Sequence, residues 1–230
     1  MVKGYIFDYG GTLDTGGCHW GKMLWHAYER VGVPVTETMF REAYVHAERM
    51  LGCNAIISQD DTFRQTLSKK IELELEYLLT AYGLRLTAYG LPLTEDLYGL
   101  VQQHTQHSRE VLTQLRQRYP MVLVSNFYGN MPIVLREFGL DGLFDRVIES
   151  AVVGIRKPDP QIFLLGVEAL GLSPPEVIVV GDSMTKDILP AKSAGCHTVW
   201  LKGEGWTSEP EDERQADHVI TDLKELLEKI

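Results

Sequence analysis

Asp8 is the residue of this 230-residue chain whose type and position most directly suggest chemistry. It ends an apolar run and is followed by Gly10 and Gly11, so the sequence predicts a strand, Val2–Tyr9, that carries a carboxylate beside a glycine-rich turn. Backbone N–H groups of such turns approach anions closely, and α/β proteins bind ligands at the carboxyl ends of parallel strands. The pattern favours a nucleophile or a metal ligand at Asp8, although a turn aspartate after a strand is common in any protein.

Two further segments carry groups that suit an anionic reactant. Ser125 and Asn126 end a predicted strand, where a hydroxyl can donate a hydrogen bond to a phosphoryl oxygen. Lys157 lies in the string GIRKPDP, whose prolines hold the backbone extended, and its ammonium could stabilise a transferring phosphoryl group. The simpler alternatives are a strand-terminal hydroxyl turn at Ser125 and a solvated loop lysine at Lys157.

More carboxylates follow the apolar run Val177–Val180. Asp182 and Asp187 would crowd at the end of one strand, and like charges repel unless a cation lies near them. Together with Asp8, Asp182 would form an oxygen-rich site suited to Mg²⁺, while Asp187 would support the site by holding Lys157. The alternative is structural, because an aspartate or Ser183 at this point could cap a helix N-terminus.

The elements that must position these groups alternate between strands and helices, which predicts a doubly wound, Rossmann-like parallel sheet. The predicted strands are Val2–Tyr9, Met121–Ser125, Asp145–Ser150, Val177–Val180, His197–Leu201 and His218–Ile220. The helices predicted between and after them are Ser108–Arg118, Ile133–Phe138, Pro160–Ala169, Asp187–Ala194 and Asp222–Ile230, and the polar segment Gly203–Asp217 is interpreted as a loop.

A helical pattern replaces this alternation between the first two strands. The first helix ends near Gly32, Thr36 caps the second, Asp60 or Asp61 begins a third that runs toward Tyr82, and Thr94 caps a fourth that runs through Val101. The sequence therefore predicts an α/β core domain, residues 1–17 and 107–230, with an inserted all-α cap domain, residues 18–106.

Composition restricts the class of protein. The chain has 22 basic and 32 acidic residues and a net charge of −10, which argues against nucleic acid and anionic membranes as partners. Its three cysteines lie far apart and are odd in number, as expected for reduced thiols in a cytosolic protein. A basic, apolar leader and a membrane-length apolar run are both missing from the sequence, so a cytoplasmic location is the expectation.

The four segments, in this order, resemble the motifs of the haloacid dehalogenase superfamily, in the subgroup with a helical cap. The resemblance covers residues 2–17 and 108–201. Most members cleave phosphate esters, so the resemblance implies a phosphatase-type hydrolase that forms an aspartyl-phosphate on Asp8 with a small phosphorylated metabolite. It also implies that Mg²⁺ binds Asp8, the backbone carbonyl of Gly10 and Asp182. Asp8, Ser125 and Lys157 would be catalytic, and Gly11, Ser125, Asn126 and Lys157 would bind the substrate, with Ser183 and Asp187 in support.

Gly10 departs from the family pattern. Most phosphatases of the family have an aspartate there that protonates the leaving group and then activates water, and general acid–base catalysis of this kind is worth about 10²–10⁴-fold. His19 and Asp14 are the two residues that could substitute for it.

Two alternative functions follow from the same residues. One is a catalytically impaired protein that binds phosphate and metal for regulation, which Gly10 favours. The other is cleavage of a carbon–halogen or carbon–phosphorus bond. Asp182 argues against the halide reaction, because the family's dehalogenases lack this metal-binding acid. The carbon–phosphorus reaction would use a cap lysine, for which the sequence offers Lys22 near the start of the cap and Lys69 and Lys70 in the third helix.

Overall fold

The computed structural model describes residues 1–207 and 211–229, and its centre is a parallel sheet of six strands. The strands lie in the order β3-β2-β1-β4-β5-β6. The chain adds strands on one side of β1 up to β3 and on the other side from β4 onward, so β1 and β4 are neighbours at the centre of the sheet. Their bounds are Gly4–Phe7 (β1), Met121–Ser125 (β2), Arg146–Glu149 (β3), Val177–Gly181 (β4), His197–Leu201 (β5) and His218–Ile220 (β6). The predicted α/β fold with a doubly wound parallel sheet is confirmed.

Apolar side chains cover both faces of the central strands, as buried parallel sheets require. Ile6 of β1 pairs in register with Val122 of β2 and Val179 of β4, and all three pack into one core layer. Tyr5 and Phe7 point to the opposite face and join the larger core layer. Strands buried on both faces are fixed in register, and their carboxyl ends meet at one edge of the sheet.

Helices flank the sheet and form the insertion after β1. The helices of the described chain are Trp20–Val31 (α1), Glu37–Cys53 (α2), Phe63–Tyr82 (α3), Gly90–Arg116 (α4), Met131–Glu137 (α5), Ser150–Val153 (α6), Gln161–Leu170 (α7), Leu189–Ser193 (α8) and Glu225–Lys229 (α9). Short 3₁₀ turns lie at Thr87–Tyr89, Pro174–Glu176 and Glu213–Gln215, and a π-helical turn lies at Met184–Ile188. The helical insertion α1–α4 is the predicted cap, although its residue boundaries stay a prediction.

The ends of the first helices follow from local chemistry. Gly32 ends α1 in the left-handed conformation, and the hydroxyl of Thr36 accepts a hydrogen bond from Met39 N at the start of α2, as predicted. The N-cap of α3 is Thr62, rather than Asp60 or Asp61, because Thr62 and Gln65 form a reciprocal capping box.

The fourth helix differs most from the prediction. It is one continuous helix that includes the predicted segment Thr94–Val101 and the predicted segment Ser108–Arg118 up to Arg116, and the predicted boundary between residues 106 and 107 falls inside it. Thr94 does not cap it, because its hydroxyl donates to the Gly90 carbonyl within the helix. Near its C-terminal end, Ser108 Oγ donates to Leu13 O at 2.8 Å, which ties α4 to the segment after β1.

Smaller differences concern the ends of other elements. The first strand is shorter than Val2–Tyr9, and α6 was not expected. The predicted helix Asp187–Ala194 is a π-helical turn followed by α8. Residues 208–210 of the predicted loop and residue 230 of the predicted last helix lie outside the described residues.

Candidate active site

Three predicted site residues meet where the central strands end. Asp8 follows β1, Ser125 ends β2 and Asp182 follows β4, and each lines the same cavity of about 700 Å³. The Asp8 backbone N–H donates to Val180 O at 3.0 Å, which extends the ladder between β1 and β4 up to the carboxylate. Asp8 is 6% exposed and Ser125 is 1% exposed, so both groups are shielded from bulk water.

Lys157 links two of the carboxylates. Its Nζ lies 2.5 Å from Asp8 Oδ1 and 2.7 Å from Asp187 Oδ1, and the side chain is buried. Burial and the nearby Asp187 carboxylate raise the pKa of Asp8 to about 6, although the Lys157 ammonium opposes that rise. Lys157 therefore stays protonated and favours the ionised form of Asp8, which is the form that a nucleophile needs.

Asn126 holds the loop that presents Lys157. Its side-chain Nδ2 donates to Lys157 O at 3.1 Å, and its Oδ1 accepts from Lys157 N at 2.9 Å. Asn126 was predicted to bind substrate. Both ends of its amide contact the backbone of Lys157, so in this structure it positions the lysine.

The three carboxylates Asp8, Asp182 and Asp187 have oxygen atoms within 4.8 Å of one another. Burial and the two neighbouring acids raise the pKa of Asp182 well above its ordinary value. Asp187 is already occupied, because Oδ1 accepts from Lys157 and Oδ2 accepts from Ser183 N at 3.0 Å. Asp182 accepts a hydrogen bond from Thr12 Oγ1 at 3.0 Å. One ammonium does not balance three adjacent acids, two of them buried and Asp182 half-buried, so this all-oxygen cluster fits a divalent cation such as Mg²⁺.

The two glycines after Asp8 differ in what the backbone requires. Gly11 has φ +95°, and a Cβ there would lie 2.5 Å from the Asp182 carboxyl, so no larger residue fits without a shift. Its N–H donates to Asp14 Oδ1 at 2.7 Å, so the predicted contact of this N–H with substrate competes with an existing bond. Gly10 is not in the left-handed region, and a Cβ there would meet nothing nearer than the Trp20 indole at 3.9 Å. The position where most phosphatases of the family have the catalytic aspartate therefore has room for a side chain.

Asp14 and His19, the two predicted substitutes, both line the cavity but are engaged in other bonds. Asp14 is fully buried, and its second oxygen accepts from Trp20 Nε1 at 2.9 Å. Burial raises the pKa of Asp14 to about 7. His19 Nδ1 accepts from Gly21 N at the start of α1, and burial lowers the pKa of this imidazole to about 4. His19 is therefore neutral at pH 7 and caps a helix.

Ser183 begins the helical turn after β4. Its Oγ accepts from Lys186 N at 3.2 Å, while its own N–H holds Asp187. Ser183 therefore caps the helical turn, as the structural alternative predicts, and it also holds Asp187 beside the site.

Other parts of the cavity wall come from Glu48 of α2 and Trp206 after β5, which the sequence interpretation missed. Lys70 of α3 also lines the cavity, although the sequence indicates it only as a candidate lysine for carbon–phosphorus chemistry. Among the other aromatic and basic residues of the cap, Trp20 and Tyr44 line the cavity, whereas Trp25, Tyr28, Arg41 and Arg49 are not part of its lining. A signal for Lys70 was present, because it falls on the buried face of α3 between Leu67 and Ile71.

Of the three cap lysines considered for carbon–phosphorus chemistry, Lys70 is the one that lines the cavity. Its pKa is raised above the ordinary value by the Glu48 carboxylate and other nearby acidic groups, although burial opposes that rise. A lysine that forms an imine must lose its proton first, so this environment disfavours that role.

In the described part of the chain, no helix is long and apolar enough to span a membrane.

Comparisons with known proteins agree with this geometry. A family model described as haloacid dehalogenase-like hydrolase matches residues 2–195. A glyceraldehyde 3-phosphate phosphatase of Pyrococcus furiosus is 42% identical over 90 residues, 39% of this chain and 38% of that protein. A phosphoserine phosphatase of Thermus thermophilus is 39% identical over 89 residues, 38% of this chain and 34% of that protein. The chain thus spans less than half the length of these curated relatives.

Solved structures show the same fold over nearly the whole chain. A HAD phosphatase from Thermococcus onnurineus is 25% identical with a TM-score of 0.57, and the match covers 98% of this chain and 96% of that one. A dehalogenase solved with an intermediate complex is 22% identical with a TM-score of 0.64, and the match covers 98% of this chain and 95% of that one. The second likeness concerns the fold alone.

Proposed function

The chain belongs to the haloacid dehalogenase-like hydrolases, and from that premise we propose that it hydrolyses the phosphate ester of a small metabolite with Asp8 as the nucleophile. The observation that supports this most is the bridge from Lys157 to Asp8 and Asp187 inside a buried acidic cluster. Such a cluster is costly unless it binds a cation and an anionic reactant. The phosphatase names of the relatives agree with this substrate class.

The reaction would proceed in two displacements at phosphorus. An Asp8 oxygen attacks phosphorus while the bond to the ester oxygen breaks, which leaves an acyl phosphate on Asp8 and an alkoxide that takes up a proton. Water then attacks the phosphorus of the acyl phosphate, and inorganic phosphate and the Asp8 carboxylate are released. Lys157 offsets the negative charge of the phosphoryl group in both steps, and the Ser125 hydroxyl donates to one of its oxygens.

Asp8, Asp182 and the Gly10 carbonyl would hold Mg²⁺, which supplies positive charge that offsets the charge of the phosphoryl oxygens. Asp187 would keep Lys157 in place. Because Gly10 has no side chain to carry a proton, we expect the second displacement to be slow. The bonds that Asp14 and His19 already make support this expectation.

The test is release of p-nitrophenol from p-nitrophenyl phosphate, with and without Mg²⁺. We expect activity that needs Mg²⁺ and disappears in Asp8→Asn, because the amide cannot act as the nucleophile. The matched control is Asp141→Asn, an exposed aspartate that does not line the cavity. Activity retained in full by Asp8→Asn would contradict the proposal.

A binding role is the second candidate, and Gly10 is the observation that favours it. A protein of this kind would bind inorganic phosphate and Mg²⁺ without turning over any phosphate ester. Calorimetric binding of phosphate, together with an absence of turnover for aryl and alkyl esters, would support it over the hydrolase.

A further inference from the structure

The wall of the cavity that the cap contributes carries a pair of opposite charges. Lys70 of α3 and Glu48 of α2 form an ion pair, and both line the cavity that contains Asp8. The Lys70 side chain is 9% exposed, whereas that of Glu48 is 41% exposed. The Lys70 ammonium also lies 4.6 Å from the centre of the Tyr44 ring and 5.7 Å from that of the Trp20 ring.

This ion pair is poorly explained by stability. Burying an ammonium is costly, and replacing an ion pair that holds a buried charge by apolar residues is often neutral or stabilising. The neighbours of Lys70 on α3, Leu67 and Ile71, belong to the apolar core, so an apolar residue would fit the pattern of this helix. A charged pair on the wall of a reaction cavity is better explained by contact with what the cavity binds.

The charges of the pair define what it can recognise. Burial opposes the charge of both groups, yet their mutual attraction raises the pKa of Lys70 and lowers the pKa of Glu48, so both are ionised at pH 7. The charges of the two groups sum to zero, so the pair itself offers no net attraction to a second anion. It offers one strong donor beside one strong acceptor.

We propose that Lys70 and Glu48 select substrates whose organic part carries an adjacent hydrogen-bond acceptor and donor with no net charge. This inference rests on the proposed phosphatase function and deepens it. Two sources have this chemistry: the vicinal hydroxyls of a polyol and the ammonium carboxylate of an amino acid. A lone carboxylate or a second phosphate would meet Lys70 favourably but would be repelled by Glu48.

The experiment compares kcat/KM for four phosphate esters in the full chain: glycerol phosphate, phosphoserine, phosphoglycolate and p-nitrophenyl phosphate. The first two carry net-neutral organic parts, the third carries a lone carboxylate, and the aryl ester is the reference. We expect the wild type to prefer glycerol phosphate or phosphoserine over phosphoglycolate by at least about tenfold, the ratio that one hydrogen bond to a charged group supplies. A preference for glycerol phosphate would identify a polyol as the organic part, and a preference for phosphoserine would identify an amino acid.

Two variants test the assignment to these side chains. Glu48→Gln leaves the Lys70 charge uncompensated, and should shift the preference toward phosphoglycolate by roughly tenfold relative to the aryl reference. Lys70→Met should shift the preference away from phosphoglycolate and lower the activity on both carboxylate-bearing esters, phosphoglycolate and phosphoserine. A role in folding alone would change all four substrates by the same factor, and that outcome would overturn the inference.

Lys69→Met is the matched control. Lys69 is the next residue on α3, but it contacts Asp61 and the Ile56 carbonyl and does not line the cavity. Its variant should keep the wild-type order of substrates. If p-nitrophenyl phosphate is not hydrolysed by the wild type, the proposed function fails. If it is hydrolysed and phosphoglycolate is the best substrate, only the selectivity inference fails.

Discussion

Replacing Gly10 with aspartate should increase the steady rate of phosphate release, because it adds a proton carrier next to the nucleophile. The backbone permits the change, since Gly10 is outside the left-handed region and a Cβ there would lie 3.9 Å from the Trp20 indole. That distance is ordinary van der Waals contact, so we expect Gly10→Asp to fold like the wild type. The proposed metal contact through the backbone carbonyl is also kept.

The expected gain follows from general acid–base catalysis, which contributes about 10²–10⁴-fold, or about 3–5 kcal/mol of barrier. With an aryl phosphate the first displacement needs no proton, so the wild type should release p-nitrophenol in a fast burst followed by slow turnover. Gly10→Asp should keep the burst and raise the slow rate by about 100-fold or more. Rapid-mixing absorbance of p-nitrophenol with Mg²⁺ measures both phases.

Gly10→Asn is the matched control, because the amide has nearly the same size as the carboxylate and cannot carry the proton. If Gly10→Asn accelerates turnover as much as Gly10→Asp, the reasoning about proton transfer is refuted. Fast steady turnover by the wild type, unchanged by Gly10→Asp, would show that another residue supplies the proton.

Three further predictions concern individual residues. Gly11→Ala should abolish activity and lower the midpoint of thermal unfolding, because its Cβ would lie 2.5 Å from the Asp182 carboxyl at a backbone φ of +95°; an active, equally stable variant would contradict this. Asp14→Asn should cost about 1–3 kcal/mol in urea unfolding, because the amide cannot accept from both N–H donors, and should leave the ratio of alkyl to aryl kcat/KM unchanged; a selective loss on alkyl esters would identify Asp14 as the acid. Burial raises the pKa of Glu74 in α3 to about 7 from 4.5, so ionisation of Glu74 should lower wild-type stability by about 3 kcal/mol as pH rises from 4.5 through 7, because this group loses its proton first in the unfolded chain. Glu74→Gln should lose this slope in urea unfolding at pH 5 and pH 8, and parallel curves for the two proteins would count against it.

The sheet could be predicted because its strands are short, continuous apolar runs between polar turns. Buried parallel strands end at one edge, so the sequence order of Asp8, Ser125 and Asp182 was enough to predict that they meet. The helix ends at Gly32 and Thr36 were predictable for a similar reason, because glycine and threonine act there through the local backbone.

The fourth helix was not predictable in the same way. Its middle, residues 102–107, is polar and was interpreted as a break between two helices. It continues as a helix because Val101, Thr105 and Ser108 are all buried along one helix face, and Ser108 is also bonded to Leu13 O. Such tertiary packing overrides a local pattern.

The cap side of the site also depends on tertiary contacts. Trp206 follows β5, yet its ring packs 5.0 Å from that of Tyr44 in α2 and 4.1 Å from the Arg41 guanidinium. Lys70 meets Glu48 only because α2 and α3 lie side by side. No spacing within one segment indicates these pairs, so the motifs could predict the reacting groups but not the wall that faces the substrate.

The central claim is that Asp8 becomes phosphorylated, and the most direct measurement is the mass of the intact protein after rapid quenching of a reaction with p-nitrophenyl phosphate and Mg²⁺. We expect a population heavier by one phosphoryl group, with the added mass on the peptide that contains Asp8, and its loss in Asp8→Asn. Turnover of the ester with no such population in either wild type or Gly10→Asn, or with the phosphoryl group on another residue, would contradict the account.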